Sequence, residues 1–376
     1  MDVIISILSI IFILSIPVFL HELGHFLAAK SVGIRVEKFY VGINFFGLGL
    51  KKKINGTEYG IGLFPLGGYV KVAGIIDESL DSDNFREIKD YEFRSKNTLQ
   101  KLWFLSAGVI MNFLLSIVIF TFLFFSNGIN ELVESPIINQ VHNNIITFDD
   151  IGDTMSVVSP ASVIGLKKDD IIKKIDYVSI NTWSDISLNL SNKADSNVVI
   201  EWLTIEGKTK IESVKLVGRP AFDGRKIINQ GVLGVMGNIT NREVKFFESI
   251  KIATLRTRDI VISSFYGFVG IISGNIPLKY LTGVVGIAKE AGSVAKSSGF
   301  LSLLSLMAFI SSNLGLINIL PIPGLDGGHA FISIVEGFIR RELPIKIKYA
   351  IQFIGVILIL SLLIFTIFND IKNIFN

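Results

Sequence analysis

One apolar run near the start of the chain ends in a charged motif, and this combination limits the possible folds more than any other feature. Residues 3–20 contain no charged side chain. A run of this length fits a transmembrane helix, because about 20 apolar residues cross the hydrocarbon core of a bilayer. The run continues without a break into HELGH, residues 21–25. The sequence therefore predicts ionisable side chains at the end of a membrane span.

The spacing within this motif predicts a zinc site. His21 and His25 are four residues apart, so on a helix they lie one turn apart on the same face. Two neutral imidazoles in this arrangement can bind one zinc ion, and Glu22 beside them can take a proton from the water that the ion activates. HExxH also occurs as plain polar surface on soluble helices, but ionisable side chains among lipid tails are costly and typically functional.

A secretory signal peptide is another interpretation of the same run. Such a peptide needs a basic amino-terminal region, whereas this chain begins Met1-Asp2. The apolar run is therefore interpreted as a membrane span.

Composition supports a membrane protein and restricts the metal ligands. Half of the 376 residues are hydrophobic, and the mean hydropathy is +0.56, which is typical of membrane proteins rather than soluble ones. The formal net charge is only +3, so a nucleic-acid partner is not expected. The chain has no cysteine. Disulfides and thiolate ligands are excluded, and any zinc ion must use His, Asp or Glu.

Apolar and basic segments alternate in a pattern that predicts four spans and their orientation. The spans are expected at about 3–29, 102–126, 301–320 and 351–368. Basic residues lie near the membrane ends of the segment between the first two spans, and again between the last two. By the positive-inside rule these two segments face the cytoplasm. Both ends of the chain and residues 127–245 are then expected on the other side.

The third predicted span ends in a sequence that brings a third ligand to the histidines. PIPGLDGGH, residues 321–329, cannot continue a regular helix, and irregular backbone at membrane depth is tolerated where it is buried in protein or lines a cavity. Asp326 in this turn favours a cation, although a capping carboxylate at a helix end is the alternative. Because it lies on the same side as His21 and His25, the three could bind zinc and leave the fourth position to water, as catalytic sites do.

A glycine-rich extended stretch lies between the first two spans. Asn55-Gly56 is a strong hairpin signal and predicts a cytoplasmic β-hairpin region over about 39–75. The following strand contains Gly67 and Gly68, which would allow another backbone to approach closely. One hypothesis is an edge strand that pairs with a peptide substrate; an ordinary surface hairpin is the alternative.

The segment between the second and third spans divides into two parts. Residues 127–245 predict a small mixed β domain with two helices, one capped by Ser159 and one beginning near Asn181. Such a domain could also be inert packing. Residues 246–300 predict an interfacial amphipathic segment, because the apolar run 260–272 is short for a span and fits an interfacial or re-entrant segment.

At this point the chain resembles the bacterial site-2 proteases of the RseP type, and the likeness runs nearly from end to end. HELGH resembles the family's HExxH, and NILPIPGLDGGH, residues 318–329, resembles its second signature. FPLGGYVKV, residues 64–72, resembles the membrane-associated β-hairpin beside the family's active site. Residues 152–218 resemble its PDZ domain. The implied fold is a polytopic α-helical membrane protein with about four transmembrane helices, a membrane-associated β-hairpin and one extracytoplasmic PDZ-like α+β domain.

The resemblance also implies an activity and roles for individual residues. The implied activity is zinc-dependent hydrolysis of peptide bonds within transmembrane segments of single-pass membrane proteins, such as an anti-sigma factor or a remnant signal peptide, in the bacterial inner membrane. Zinc would be bound by His21, His25 and Asp326, and Glu22 would be the catalytic base. Two asparagines match family residues that hold the substrate backbone, namely Asn313 and Asn318.

The predicted parts are therefore a first half of the membrane core (1–126), an extracytoplasmic region (127–245), the interfacial segment (246–300) and a second half of the core (301–376). The rival hypothesis is a non-catalytic membrane scaffold that binds peptides through the PDZ-like domain. A scaffold would need neither the glutamate of HExxH nor the remote aspartate, and both are present. A zinc transporter is less consistent with the sequence, because one metal site at one leaflet does not make a pathway across the membrane.

Overall fold

A computed structural model of the chain contains helices of the length and hydropathy that membrane spans require. The structure describes residues 2–44, 49–75, 88–148, 154–223, 226–278 and 281–375. Within these residues the candidate spans are Val3–Ser31, Thr98–Asn127, Gly299–Ile319 and Ile345–Lys372. Their number is the predicted one. Three of them contain the predicted span, and Gly299–Ile319 covers 301–320 except for its last residue. The chain is thus a multi-pass membrane protein that also contains β-strands.

The four spans belong to the helices α1 (Asp2–Ser31), α2 (Thr98–Asn127), α7 (Gly299–Ile319) and α9 (Ile345–Phe375). Helix α1 has 30 residues, which gives a length of about 45 Å. This exceeds a hydrocarbon core of about 30 Å, so the motif in its last third can stand near the membrane boundary while the apolar part crosses.

The remaining helices are shorter or more polar. They are α3 (Pro160–Val163), α4 (Trp183–Ser191), α5 (Phe246–Ile272), α6 (Val284–Ser297) and α8 (Asp326–Ile339). The apolar run at 260–272 is the second half of α5, a continuous helix of 27 residues, rather than a separate short segment. Helix α6 also lies within the amphipathic segment predicted over 246–300.

The chain divides into two compact units. The first comprises Met1–Ser126, Lys245–Phe265 and Pro277–Asn376, and the second comprises Asn127–Val244 and Tyr266–Ile276. In the first unit, buried apolar side chains from α1, α2, α5, α6 and α7 form one cluster that includes Ile13, Phe120 and Met307. This cluster packs the spans against one another.

A four-stranded sheet follows α1 and stands beside it. Its strands are β1 (Val36–Ile43), β2 (Gly49–Ile54), β3 (Thr57–Gly62) and β4 (Phe64–Val72), in the order β2-β3-β1-β4. The β2–β3 hairpin turns at Asn55 and Gly56, which both have positive φ, as a type I′ turn requires. This hairpin confirms the prediction. Strand β4 pairs only with β1 within the described sheet, so it is an edge strand.

The second unit is built from short strands around one core. Its main sheet has the order β10-β9-β11-β12, with β9 (Ile171–Ile175), β10 (Val178–Ser179), β11 (Asn197–Leu203) and β12 (Thr209–Lys215). Trp202 is fully buried in the cluster that unites this sheet with α3 and α4. Ser159 caps α3, and Thr182 with Asp185 forms a capping box on α4. The two predicted helices are therefore present. The first two residues of the predicted PDZ-like domain, 152 and 153, lie outside the described residues.

The other strands of the second unit form two-stranded pairs: β5 (Ile129–Leu132) with β16 (Ile239–Arg242), β6 (Ile138–Val141) with β15 (Val235–Gly237), β7 (Asn144–Phe148) with β8 (Thr154–Val158), and β13 (Val217–Phe222) with β14 (Ile227–Val232).

Candidate metal centre

Three side chains from distant parts of the chain meet at one point in the first unit. His21 and His25 lie on α1, and Asp326 is the first residue of α8. The His21 Nε2 and His25 Nε2 atoms lie 3.0 Å and 3.1 Å from Asp326 Oδ2, and 3.1 Å from each other. Both imidazoles are buried. The local helix sets the spacing of the histidines, and the break after α7 delivers the carboxylate.

The three donor atoms have the arrangement that a tetrahedral metal ion needs. Ligand bonds of about 2.0–2.1 Å to zinc imply separations of about 3.3 Å between neighbouring ligand atoms. The nearly equilateral triangle formed by His21, His25 and Asp326, with sides of 3.0–3.1 Å, approaches this value. Two imidazoles and one carboxylate are also a ligand set that leaves a fourth position open. The residues therefore fit zinc.

Hydrogen bonding at the far side of His25 prepares it for ligation. Its Nδ1 atom lies 2.9 Å from the backbone oxygen of Phe104 on α2. Since that oxygen only accepts, Nδ1 carries the proton and the lone pair remains on Nε2, which faces the other ligands. Gly108, one turn further along α2, permits this approach, because a Cβ there would lie 2.5 Å from His25 Nε2.

Asn112 plays the corresponding part for His21. Its side-chain amide lies with Nδ2 3.2 Å from His21 Nδ1, while Asn112 Oδ1 is buried without a hydrogen-bond partner among the described residues. Rotation of the amide by 180° would present Oδ1 to His21 Nδ1 and give this buried oxygen a donor. In that orientation His21 also keeps its Nε2 lone pair for a metal.

Glu22 lies at the wall of a cavity of about 290 Å³ that the ligands share. The cavity is also lined by Gly68 and Tyr69 from β4 and by Asn318 from α7. A carboxylate thus stands next to the metal-binding triangle without belonging to it. This is the position that a proton acceptor requires.

The two glycines of β4 have a packing role in addition to any contact with a substrate. Gly67 has φ +81°, and a Cβ there would lie 2.9 Å from Val18 Cγ1. A Cβ on Gly68 would lie 2.5 Å from the Tyr40 carbonyl oxygen and 3.7 Å from Glu22 Cγ. Because β4 runs directly against α1 and β1, a larger side chain at either glycine would displace the strand from the cavity.

Tyr69 in the cavity wall stacks on Tyr40 of the neighbouring strand. The rings of Tyr40 and Tyr69 are 5.0 Å apart and nearly parallel, and the Tyr40 hydroxyl donates to Glu58 Oε1 at 2.5 Å. Burial, with this hydrogen bond, raises the pKa of Tyr40 to about 12. Burial, with the nearby charge of Glu58, also raises the pKa of Tyr69. Both phenols are therefore neutral hydroxyls at neutral pH.

The two asparagines that were predicted to hold substrate differ in their position relative to the cavity. Asn318 lines the cavity, with its Nδ2 3.5 Å from His21 Nε2. Asn313 lies more than one turn earlier on α7 and donates to the Phe309 carbonyl of its own helix at 2.8 Å. It does not line the described cavity.

Other contributors to the site carry little or no signal in the sequence. The Phe104 contact uses a backbone atom, which no side-chain pattern reveals. Asn112 is recognisable as the one amide in its span. Gln352 on α9 is buried and contacts both Gly324 and His329, but a lone glutamine near the start of a span does not indicate a role in a metal site.

Comparisons with known proteins agree with this geometry. The family model for peptidase family M50 matches residues 9–362. A Campylobacter jejuni protein named "Putative zinc metalloprotease Cj1068" is 34% identical, covering 98% of this chain and 94% of the relative. A Clostridium perfringens protein named "Putative zinc metalloprotease CPE1693" is 32% identical, covering 94% and 95%. A Helicobacter pylori relative, named "Putative zinc metalloprotease", is 28% identical, covering 96% and 98%.

A multi-pass membrane protein with a buried HExxH–Asp triangle is, as a class, a candidate membrane metallopeptidase. The match over nearly the whole length goes further: the chain belongs to peptidase family M50. This confirms the resemblance to the site-2 protease family. Zinc is the metal that the family and the names of the relatives imply.

Proposed function

We propose that the chain is an intramembrane zinc metalloendopeptidase that cuts single-pass membrane proteins within their transmembrane segments. The observation that carries the proposal is the convergence of His21, His25 and Asp326 on one point, on helices that are or adjoin candidate spans. Cleavage of a purified single-span substrate by the wild-type protein, and its loss in the Glu22→Gln variant with zinc retained, tests it.

The chemistry divides between the metal and the chain. When bound by His21, His25 and Asp326, zinc would polarise the scissile carbonyl and lower the pKa of a water molecule. Glu22, at the wall of the same cavity, would accept a proton from the attacking water and pass it to the leaving amine. The neutral Tyr69 hydroxyl in that wall is available as a hydrogen-bond donor to the substrate.

The substrate must unwind before it can be cut, because a helix hides its carbonyl groups in its own hydrogen bonds. We infer that the free edge of β4 pairs with the unwound segment and replaces those bonds. Gly67 and Gly68 keep this edge close to Glu22, and Asn318 lines the same cavity as Gly68. Asn313 belongs to the same hypothesis through the family resemblance alone.

Disulfide cross-linking tests this pairing. Cysteines at Tyr69 or Val70, in the Glu22→Gln background, are combined with single-cysteine substrates. Strand pairing predicts that Tyr69→Cys cross-links to substrate positions of one parity and Val70→Cys to the other, because side chains alternate along a strand.

The matched control is Lys53→Cys on β2, the opposite edge of the sheet, which should form no cross-link. Cross-links without alternation, or equal cross-linking at Lys53→Cys, would show that β4 does not pair with the substrate. Cross-linking is more specific than enlarging Gly67 to valine. That substitution would clash with Val18 and strain a backbone with positive φ, so it would disturb the sheet itself.

The second unit is proposed to be an extracytoplasmic PDZ-like domain that limits access to the site. Its four-stranded sheet with two capped helices supports this interpretation. A Cβ on Gly231 would lie 2.5 Å from the Leu190 carbonyl oxygen, so α4 touches β14 at that point. A cavity of about 160 Å³ lies beside this contact and is lined by residues of both α4 and β14.

The proposed location is the bacterial inner membrane, with the metal site toward the cytoplasm. Cysteine labelling tests the orientation, because the chain has no cysteine of its own and both Ser95 and Ser196 are exposed. In intact cells Ser196→Cys should react with an impermeant maleimide, whereas Ser95→Cys should react only after permeabilisation. The opposite result would overturn the orientation.

A further inference from the structure

We propose that α9 positions the Asp326 carboxylate through Gln352, which holds the turn that leads into it. This inference rests on the proposed metal site. Gln352 is 4% exposed, and its Oε1 accepts a hydrogen bond from the Gly324 backbone N–H at 2.8 Å. Gly324 lies two residues before Asp326, so the bond fixes the backbone immediately ahead of the ligand.

The other end of the same amide contacts the chain after the ligand. Gln352 Nε2 lies 3.2 Å and 3.3 Å from the two ring nitrogens of His329. His329 follows Asp326 by three residues, one turn further along α8. A single buried side chain thus bonds the protein on both sides of Asp326.

A close backbone contact between α9 and the turn adds to these hydrogen bonds. A Cβ on Gly355 would lie 2.1 Å from the Pro323 carbonyl oxygen, so α9 and the turn touch where only a glycine fits. A Cβ on Gly324 would in turn lie 3.2 Å from Ile359 Cδ1. Gln352, Gly355 and Ile359 are spaced i, i+3 and i+7, which places them on one face of α9.

The same face of α9 also contacts α8, one turn closer to the start of α9. Lys348, one turn before Gln352, bonds Glu336 with Nζ 2.6 Å from Oε1, and Glu336 is buried. Lys101 of α2 lies 3.9 Å from the other oxygen of Glu336. The packing of α9 is therefore held at two places, at the metal-side turn and one turn away.

The backbone hydrogen bonds of the turn are otherwise local. Its backbone hydrogen bonds, apart from the one to Gln352, join described residues between 317 and 329 to one another. Two prolines and Gly324 remove the regular helical pattern that would otherwise hold the chain. Since loss of outer partners of a metal ligand typically costs about 10–100-fold in metal affinity or activity, the position of Asp326 should depend on Gln352.

The test uses the purified full-length protein in detergent, with three variants. Gln352→Leu removes both polar contacts at similar size, Gln352→Glu keeps an oxygen acceptor for Gly324 N–H, and Gly355→Ala pushes on the turn. The readouts are the rate of zinc loss to a chelator, the visible absorption of the cobalt-loaded protein, and kcat and KM on a single-span substrate.

We expect Gln352→Leu to lose zinc about 10–100-fold faster and to show a similar drop in kcat. KM should be unchanged, because Gln352 does not line the cavity that holds Glu22. The cobalt absorption should change in shape, since the carboxylate ligand shifts. Gly355→Ala should act in the same direction, and Gln352→Glu should stay close to wild type.

Two controls separate positioning from general damage to the fold. Thr366→Val removes another buried polar group on α9, far from the turn. Gly267→Ala adds a methyl group at a helical glycine with open space around it. Both should match wild type in all readouts.

The inference is overturned if Gln352→Leu and Gly355→Ala keep the zinc retention and cobalt spectrum of Thr366→Val. It is also overturned if Gln352→Glu loses as much as Gln352→Leu, since the Gly324 bond would then not be the cause. Asp326→Ala serves as the reference: if that variant keeps zinc and cleavage, the proposed metal site itself is wrong, whereas a defect in Asp326→Ala alone removes only the role of Gln352.

Discussion

The Glu22→Gln variant is expected to cut a single-span substrate about 10²–10⁴-fold more slowly than the wild type, the range that a positioned general base contributes. The amide has nearly the shape of the carboxylate but cannot accept the proton of the attacking water. Because Glu22 is not one of the three converging donors, zinc content should stay at about one ion per chain. Metal analysis and single-turnover cleavage of the same preparation measure both quantities.

The matched control is Glu290→Gln, which makes the same change at an exposed position on α6 and should leave the rate unaltered. If Glu22→Gln retained near-normal cleavage while zinc was bound, another group would have to be the base. If it lost zinc along with activity, the effect would report on the metal and not on proton transfer.

The candidate metal site was predictable because its three proposed ligands carry local signals in the sequence. His21 and His25 are recognisable by their four-residue spacing at the end of an uncharged run. Asp326 is recognisable because it lies at a break in an otherwise apolar helix. Each signal depends only on neighbours in sequence. That the two segments meet was inferred from charge placement, and the distances of 3.0–3.1 Å now give that inference a geometry.

The supports of the site depend on contacts that no local pattern encodes. Phe104 acts through its carbonyl oxygen, 79 residues from His25 in the chain. Gln352 reaches Gly324 across 28 residues, and its role becomes visible only when the face of α9 that packs on the turn is known. Packing between spans decides such contacts, and hydropathy alone does not specify which face of an apolar helix points inward.

The four-stranded sheet likewise has parts that a local sequence signal predicts and parts that it does not. The β2–β3 hairpin was predictable from Asn55-Gly56, a signal confined to the turn. Strand β1 was not predicted, because its pairing with β3 is parallel and with β4 antiparallel, and neither pairing leaves a mark in β1 alone. The close backbone approach expected at the glycines of β4 is present at Gly68. Their nearest neighbours, however, are Val18 and the Tyr40 backbone, which belong to the protein itself.

Removing the Asp326 carboxylate is expected to abolish stable zinc binding, because only two protein ligands would remain. The Asp326→Ala variant should lose more affinity than the roughly 10–100-fold typical of an outer-partner change, and cleavage should fall with it. Zinc content after gel filtration and chelator competition measure the loss. His142→Ala is the control, since that histidine is exposed and lies outside the described triangle.

Asp326→Asn gives the sharper comparison, because it keeps an oxygen in place and removes only the negative charge. If binding needs an anionic ligand beside His21 and His25, Asp326→Asn should hold zinc less well than wild type but better than Asp326→Ala. Equal zinc retention in all three proteins would mean that the 3.0–3.1 Å contacts are plain hydrogen bonds between α1 and α8. The break after α7 would then serve to end a helix, and the third ligand would have to come from elsewhere in the chain.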